Sequence, residues 1–210
     1  MLRPTLRPVM FRGLLIVLCL LGLSAEPAFA ADAPTAAVER FHGALAANMK
    51  DGKTLGFEGR KKRLDPIIRE VFDFPAMARV STGAAWQKLS EDDRTRVTAA
   101  FTEWTVATYA ANFKDWDGET FVTKGAKDDG KGHVMVETAL NLKAASPVLF
   151  TYRMRQAGDA PKVVDIFLEG SISQMAMHRS QFAAALTAGG VENLLKHMHD
   201  LTAKATKDAA

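Results

Sequence analysis

The chain reads as an α+β protein, and three observations predict this. Apolar residues recur at three- and four-residue steps from about Pro34 to Phe113, the period of helices. From about Phe121 to Glu169 the pattern changes to strict alternation, the period of strands. After Gly170 the helical period returns. Helices, then strands, then helices, without an alternating βαβ pattern, place the helices as a layer on an antiparallel sheet.

Before that body lies a leader. Arg3, Arg7 and Arg12 precede the apolar run GLLIVLCLLGL (13–23), and SAEPAFA then supplies a polar break and the small-residue step Ala28-Phe29-Ala30. This is the pattern of a cleaved secretory signal peptide, residues 1–30. It leaves a single domain at 31–210, with an ordered core of about 34–205. The apolar run is shorter than the roughly twenty residues a membrane span needs. Removing 1–30 takes away three arginines and one glutamate, so the net charge falls from +3 to +1. The lone cysteine, Cys19, falls within the leader, so the exported chain is stable by core burial without disulfides. RKKR (60–63) is too short for a nucleic-acid footprint and reads as a solvated helix start; no nucleic-acid partner is expected.

The elements follow in order. Val38, Phe41, Leu45 and Met49 mark a first helix, which Gly52 and Gly56 interrupt. A second covers 60–72, with Leu64, Ile67, Ile68, Val71 and Phe72 on its apolar side. Asp73 is placed to cap a short third helix with Pro75 in its first turn, ended by Gly83. Ser90 with Asp93 resembles a capping box and opens a long helix to about Phe113. On that helix Val97, Phe101, Trp104, Thr105 and Thr108 form one sector, and Tyr109, Phe113 and Trp116 continue it round the axis. The sector is wider than the stripe of an ordinary surface helix, so this helix packs against more than one layer or lines a space. Strands follow at 121–124, 134–142, 148–155 and 163–169, joined by short connectors as an antiparallel meander. One face carries Val134, Val136, Thr138, Leu140 and Leu142, then Val148, Phe150, Tyr152 and Met154, then Val164, Ile166 and Leu168. Two last helices, about 174–187 and 190–205, are divided by Gly189-Gly190.

Catalytic chemistry is hard to find in these residues. GSISQ (170–174) lies where a nucleophile elbow would, but Gly-x-Ser-x-Gly is out of register and helix-capping serines explain it better. The five histidines are scattered and read as surface residues, and His197 and His199 are two apart on a helix and cannot share a metal. No metal or cofactor is expected. Arg153, Arg155 and Asp165 share the other sheet face and read as a cross-strand ion pair, and Arg79 reads as buried and paired. What remains is apolar surface in excess of a simple core, with Met77, Met154, Met175 and Met177 adding adaptable side chains. That excess points to a cavity between helices and sheet. Two rival readings stay open: a cone-shaped α+β enzyme using Asp165 or Asp73 as a buried base, and an adaptor without any cavity.

Many dispersed residues in order carry a resemblance. Phe72-Asp73-Phe74, Met77-Ala78-Arg79, Gly83 with Trp86, Phe101, Thr108-Tyr109, Tyr152-Arg153, Val164-Asp165, Glu169-Gly170-Ser171 and Arg179-Ser180-Gln181-Phe182 resemble the periplasmic phospholipid-binding MlaC family, also called toluene-tolerance proteins. The similarity runs from about Val38 to Leu201. TVATYAANF, GSISQMAMHRSQF and the Ala-Gly-Gly step at 188–190 are most similar to its hopanoid-associated branch, HpnM. The resemblance implies a helical layer wrapped on a curved antiparallel sheet of about four strands, enclosing an apolar lipid pocket. It implies a non-enzymatic periplasmic carrier of a phospholipid or hopanoid. Its partners would be an inner-membrane ABC-transporter lipid-transfer complex and an outer-membrane lipoprotein complex. The expected lipid contacts are Trp104, Tyr109 and Phe113 on the long helix, Val136, Leu140, Phe150, Tyr152, Ile166 and Leu168 on the sheet, and Ile172 and Met175 at the final junction. There Ser171 and Ser173 are expected to cap and Arg179 to anchor the helix through an ion pair.

Overall fold

The computed structural model describes residues 29–209; the expected signal peptide, up to Ala28, lies outside the described residues. Helices α1 (Phe29–Lys50), α2 (Gly52–Val71), α3 (Phe74–Thr82) and α4 (Glu91–Asn112) come first. Strands β1 (Thr120–Asp128), β2 (Val134–Asn141), β3 (Val148–Ala157), β4 (Ala160–Leu168) and β5 (Ile172–Ser173) follow, and α5 (Gln174–Asp208) ends the chain. The strands form a curved, unclosed antiparallel sheet in sequence order. The fifth strand is a two-residue addition to the four read from sequence.

Local chemistry sets the helix ends. Asp73 accepts from the Ala76 amide at 3.1 Å and Pro75 occupies the first turn of α3. Ser90 accepts from the Asp93 amide at 3.1 Å to start α4. Gly56 and the Gly189-Gly190 pair leave helical geometry inside α2 and α5, so each is two helical pieces joined at a kink. Gly83 ends α3 with φ +65°, and a Cβ there would lie 2.8 Å from Nε of Arg179. The positive φ requires glycine at this position, whereas the exposed Arg179 side chain could swing aside from a Cβ. Gly83–Lys88 then form a 3-10 turn that periodicity does not announce.

Helices and sheet share one core, in which Phe41, Leu64, Ile68, Phe72, Phe101, Met154, Val163, Phe182, Leu194 and Met198 are buried. Several expectations are corrected here. Strand β1 runs to Asp128, well beyond 121–124. A bulge on β4 pairs Met154 with Val163 while Arg153 pairs with Asp165. The extra residue shifts the alternation, so Val163 joins the core cluster in place of Val164. Arg60 of RKKR is buried, donating to the carbonyls of Gly52, Ala110 and Ala209. It satisfies backbone groups at the ends of three helices.

Arg155 pairs with Asp73 at 2.6 Å rather than with Asp165, tying β3 to the cap of α3. Arg153 lies over the Phe167 ring and 3.9 Å from Asp129. Arg79 is exposed, because its flank of α3 faces solvent. Arg179 is exposed too and packs on Gly83, with no ion pair to it among the described residues. Trp116 lies past the end of α4, exposed, with its indole donating to the Glu119 carbonyl, and does not extend the aromatic sector.

Candidate functional site

Between α4 and the open half of the sheet lies a cavity of about 340 Å³. Its helical wall is Phe101, Trp104, Thr105, Thr108, Tyr109, Asn112 and Phe113, which places the over-wide sector of α4 in view of its function: one flank packs, the other lines a space. The opposite wall is Val148, Phe150, Tyr152, Ile166 and Leu168 from β3 and β4. Phe72 and Met77 close one side, and Gln174, Met175 and His178 of α5 close another. Trp104, Tyr109, Phe113, Phe150 and Leu168 are only half-buried, so the space communicates with solvent. The volume is at the lower end of the usual range of small-molecule sites, roughly 300–1,000 Å³.

Of the residues singled out from sequence, Trp104, Tyr109, Phe113, Phe150, Tyr152, Ile166, Leu168 and Met175 line this cavity. Val136 and Leu140 do not. They share the apolar sheet face, but α1 packs over β1 and β2 and buries that end of it. Ile172 is 48% exposed, because β5 turns its side chain outward at the sheet edge. Asn112, Gln174 and His178 were not foreseen as lining residues. Their polarity hid them, though the helical spacing that carries Met175 inward also carries His178.

The rings form a continuous wall. Tyr109 stacks on Phe113 with centroids 5.5 Å apart, and Trp104 meets His178 edge-on at 4.7 Å. Burial lowers the His178 pKa and raises those of Tyr109 and Tyr152, so all three are neutral near pH 7. The Tyr152 hydroxyl is 2.9 Å from Nε2 of His42, which α1 holds in the interior and stacks on Phe121. His42 is thus not a surface residue. Thr105 donates to the Phe101 carbonyl. No lysine, arginine, aspartate or glutamate is among the residues lining the cavity.

The two candidate bases are engaged elsewhere. Asp73 caps α3 and binds Arg155. Asp165 accepts from the Ser173 hydroxyl at 2.6 Å and from the amides of Met175 and Ile166 at 3.1 and 2.8 Å. It therefore anchors the start of α5. Ser173 caps that helix through the Ala176 amide, whereas the Ser171 amide closes the preceding turn onto Leu168. Among the described residues, no group of three or more His, Cys, Asp or Glu side chains is placed to hold a metal ion. The arrangement can enclose apolar matter and offers neutral hydrogen-bonding groups at its edge.

Comparison with known proteins gives two findings. A family model described as MlaC protein matches residues 39–200. Among solved structures, the chain is similar to a phospholipid-binding protein from Ralstonia solanacearum determined in complex with a phospholipid. The TM-score is 0.72 at 22% sequence identity, with 83% of this chain and 99% of that chain covered, which establishes a shared fold. No curated protein matches the chain.

Proposed function

This chain belongs to the MlaC family, and from that premise we propose that it is a periplasmic carrier which binds a phospholipid or hopanoid in the cavity between α4 and the sheet. It shuttles that lipid between the inner and outer membranes, exchanging it with an inner-membrane ABC-transporter lipid-transfer complex and an outer-membrane lipoprotein complex. The signal peptide at 1–30 exports it, and 31–210 form the single lipid-binding domain. One observation carries the reading: a cavity walled by aromatic and aliphatic side chains, with no charged residue among its lining. Acyl chains placed there leave water at a gain of roughly 25 cal/mol per Å² of apolar surface. The phospholipid bound by the Ralstonia solanacearum protein of the same fold supports the same ligand class.

The rival readings have less support. The enzyme reading named Asp73 or Asp165 as its buried base, and both are committed to helix ends and do not line the cavity. An adaptor would pack shut, whereas half-buried rings face an open space.

Leu168→Glu tests the site. A carboxylate in an apolar cavity without a counter-charge costs several kcal/mol when a lipid desolvates it. Binding of a fluorescent phospholipid by delipidated protein is expected to fall at least tenfold. Val122→Glu, on the exposed face of β1, is expected to bind as the parent does. Undiminished binding by the Leu168 variant would move the ligand out of this cavity.

A further inference from the structure

The chain has two tyrosines, and both line the cavity. Their hydroxyls differ. That of Tyr152 is bonded to His42. That of Tyr109 has no hydrogen-bond partner among the described residues, although its ring is held on three sides by Phe41, Phe72 and Phe113 at centroid distances of 5.2, 5.9 and 5.5 Å. A phenylalanine would make the same ring contacts, and the chain uses phenylalanine at twelve other positions. The hydroxyl is therefore left to the solvent-connected cavity, and a ligand that covers it without offering an acceptor leaves it unsatisfied, which is unfavourable. Burial keeps it neutral, so it is a donor in search of an acceptor.

Position and charge narrow what that acceptor is. Asn112 is exposed and marks the rim of the cavity. Tyr109 lies three residues earlier on α4, so it sits about 5 Å inside that rim along the helix axis. An anionic oxygen brought to that depth would meet no positive side chain and would be costly to desolvate. In a lipid with its head outside and its chains inside, the neutral acceptor just below the rim is the ester carbonyl. Resting on the carrier reading above, we propose that the Tyr109 hydroxyl is the hydrogen-bonding station for a lipid ester carbonyl. It makes the protein select acyl-ester lipids over ether-linked lipids of the same shape.

The test compares two lipids on two proteins. Delipidated parent and Tyr109→Phe are titrated with dipalmitoyl phosphatidylglycerol and with its di-O-hexadecyl ether analogue, which keeps head and chain length and lacks the carbonyls. The parent is expected to bind the ester about tenfold more tightly, and Tyr109→Phe is expected to reduce that ratio to about one. Delipidated Tyr109→Phe is also expected to melt with the delipidated parent, because the hydroxyl bonds no protein group among the described residues; a clearly lower melting temperature would mean that the hydroxyl has a structural partner and would overturn the proposal. Equal binding of both lipids by the parent, or an ester preference that survives in Tyr109→Phe, would overturn the proposal and leave the carrier reading standing. Binding of neither lipid by the parent would overturn both.

Discussion

Position 42 holds an ionisable ring in surroundings that favour its neutral form. His42 is 4% exposed, and burial lowers its pKa from the ordinary 6.5 to about 4. The folded protein keeps the ring neutral while the unfolded chain takes up a proton once the pH drops below 6.5. The stabilisation is therefore complete above pH 6.5 and is lost as the pH falls towards 4, by about 3 kcal/mol in all. Urea unfolding at stepped pH values is expected to show this slope, and His42→Gln is expected to flatten it. A parent profile that is level between pH 6.5 and 4 would mean that His42 is protonated in the fold. The residue scale also holds the largest surprise for sequence reading. Arg60 stands in a basic run that looks solvated, yet it ties together the ends of α2, α4 and α5 through three carbonyls. Nothing local in RKKR distinguishes it from its neighbours; the carbonyls it meets lie as far as 149 residues away.

Among the elements, α5 is the one whose placement is most exposed to a single change. Its first half supplies Gln174, Met175 and His178 to the cavity, and its entry is fixed by Asp165. Asp165→Ala leaves the Ser173 hydroxyl and two amides without their acceptor. It is expected to cost about 3 kcal/mol by urea unfolding, at 1–3 kcal/mol for each buried group left unsatisfied. A loss below 0.5 kcal/mol would mean that α5 is seated by packing alone. Elements were the most legible scale in the sequence. Ser90-Asp93 located the start of α4, Asp73-Phe74-Pro75 that of α3, and the Gly189-Gly190 pair divided α5 where the chain kinks. Where one face of a strand differed from the other, alternation named the apolar face. It could not say which helix covers which stretch of that face, so Val136 and Leu140, under α1, looked equivalent to Phe150 and Leu168, which α1 leaves open. Nor does alternation reveal a bulge, which is why Val163 rather than Val164 joins the core cluster.

At the scale of the whole molecule, residues 31–210 contain no cysteine, so helices and sheet are held by their shared core and by ion pairs between elements. Arg69 and Lys61 join α2 to Glu103 of α4, and Arg96 joins α4 to Glu192 of α5. These ties lie on the side of α4 away from the cavity lining, so one flank of the helix is fastened and the other is free to face a ligand. A ligand that fills this space binds the folded state alone and stabilises it by mass action, about 2.7 kcal/mol at a hundredfold excess over Kd. The claim that the space exists for a membrane lipid is tested most directly by mass spectrometry of organic extracts from the protein, purified without detergent. The account predicts a phospholipid or hopanoid in close to equimolar amount with the protein. Repeated preparations of intact, folded protein that yield neither phospholipid nor hopanoid would contradict it.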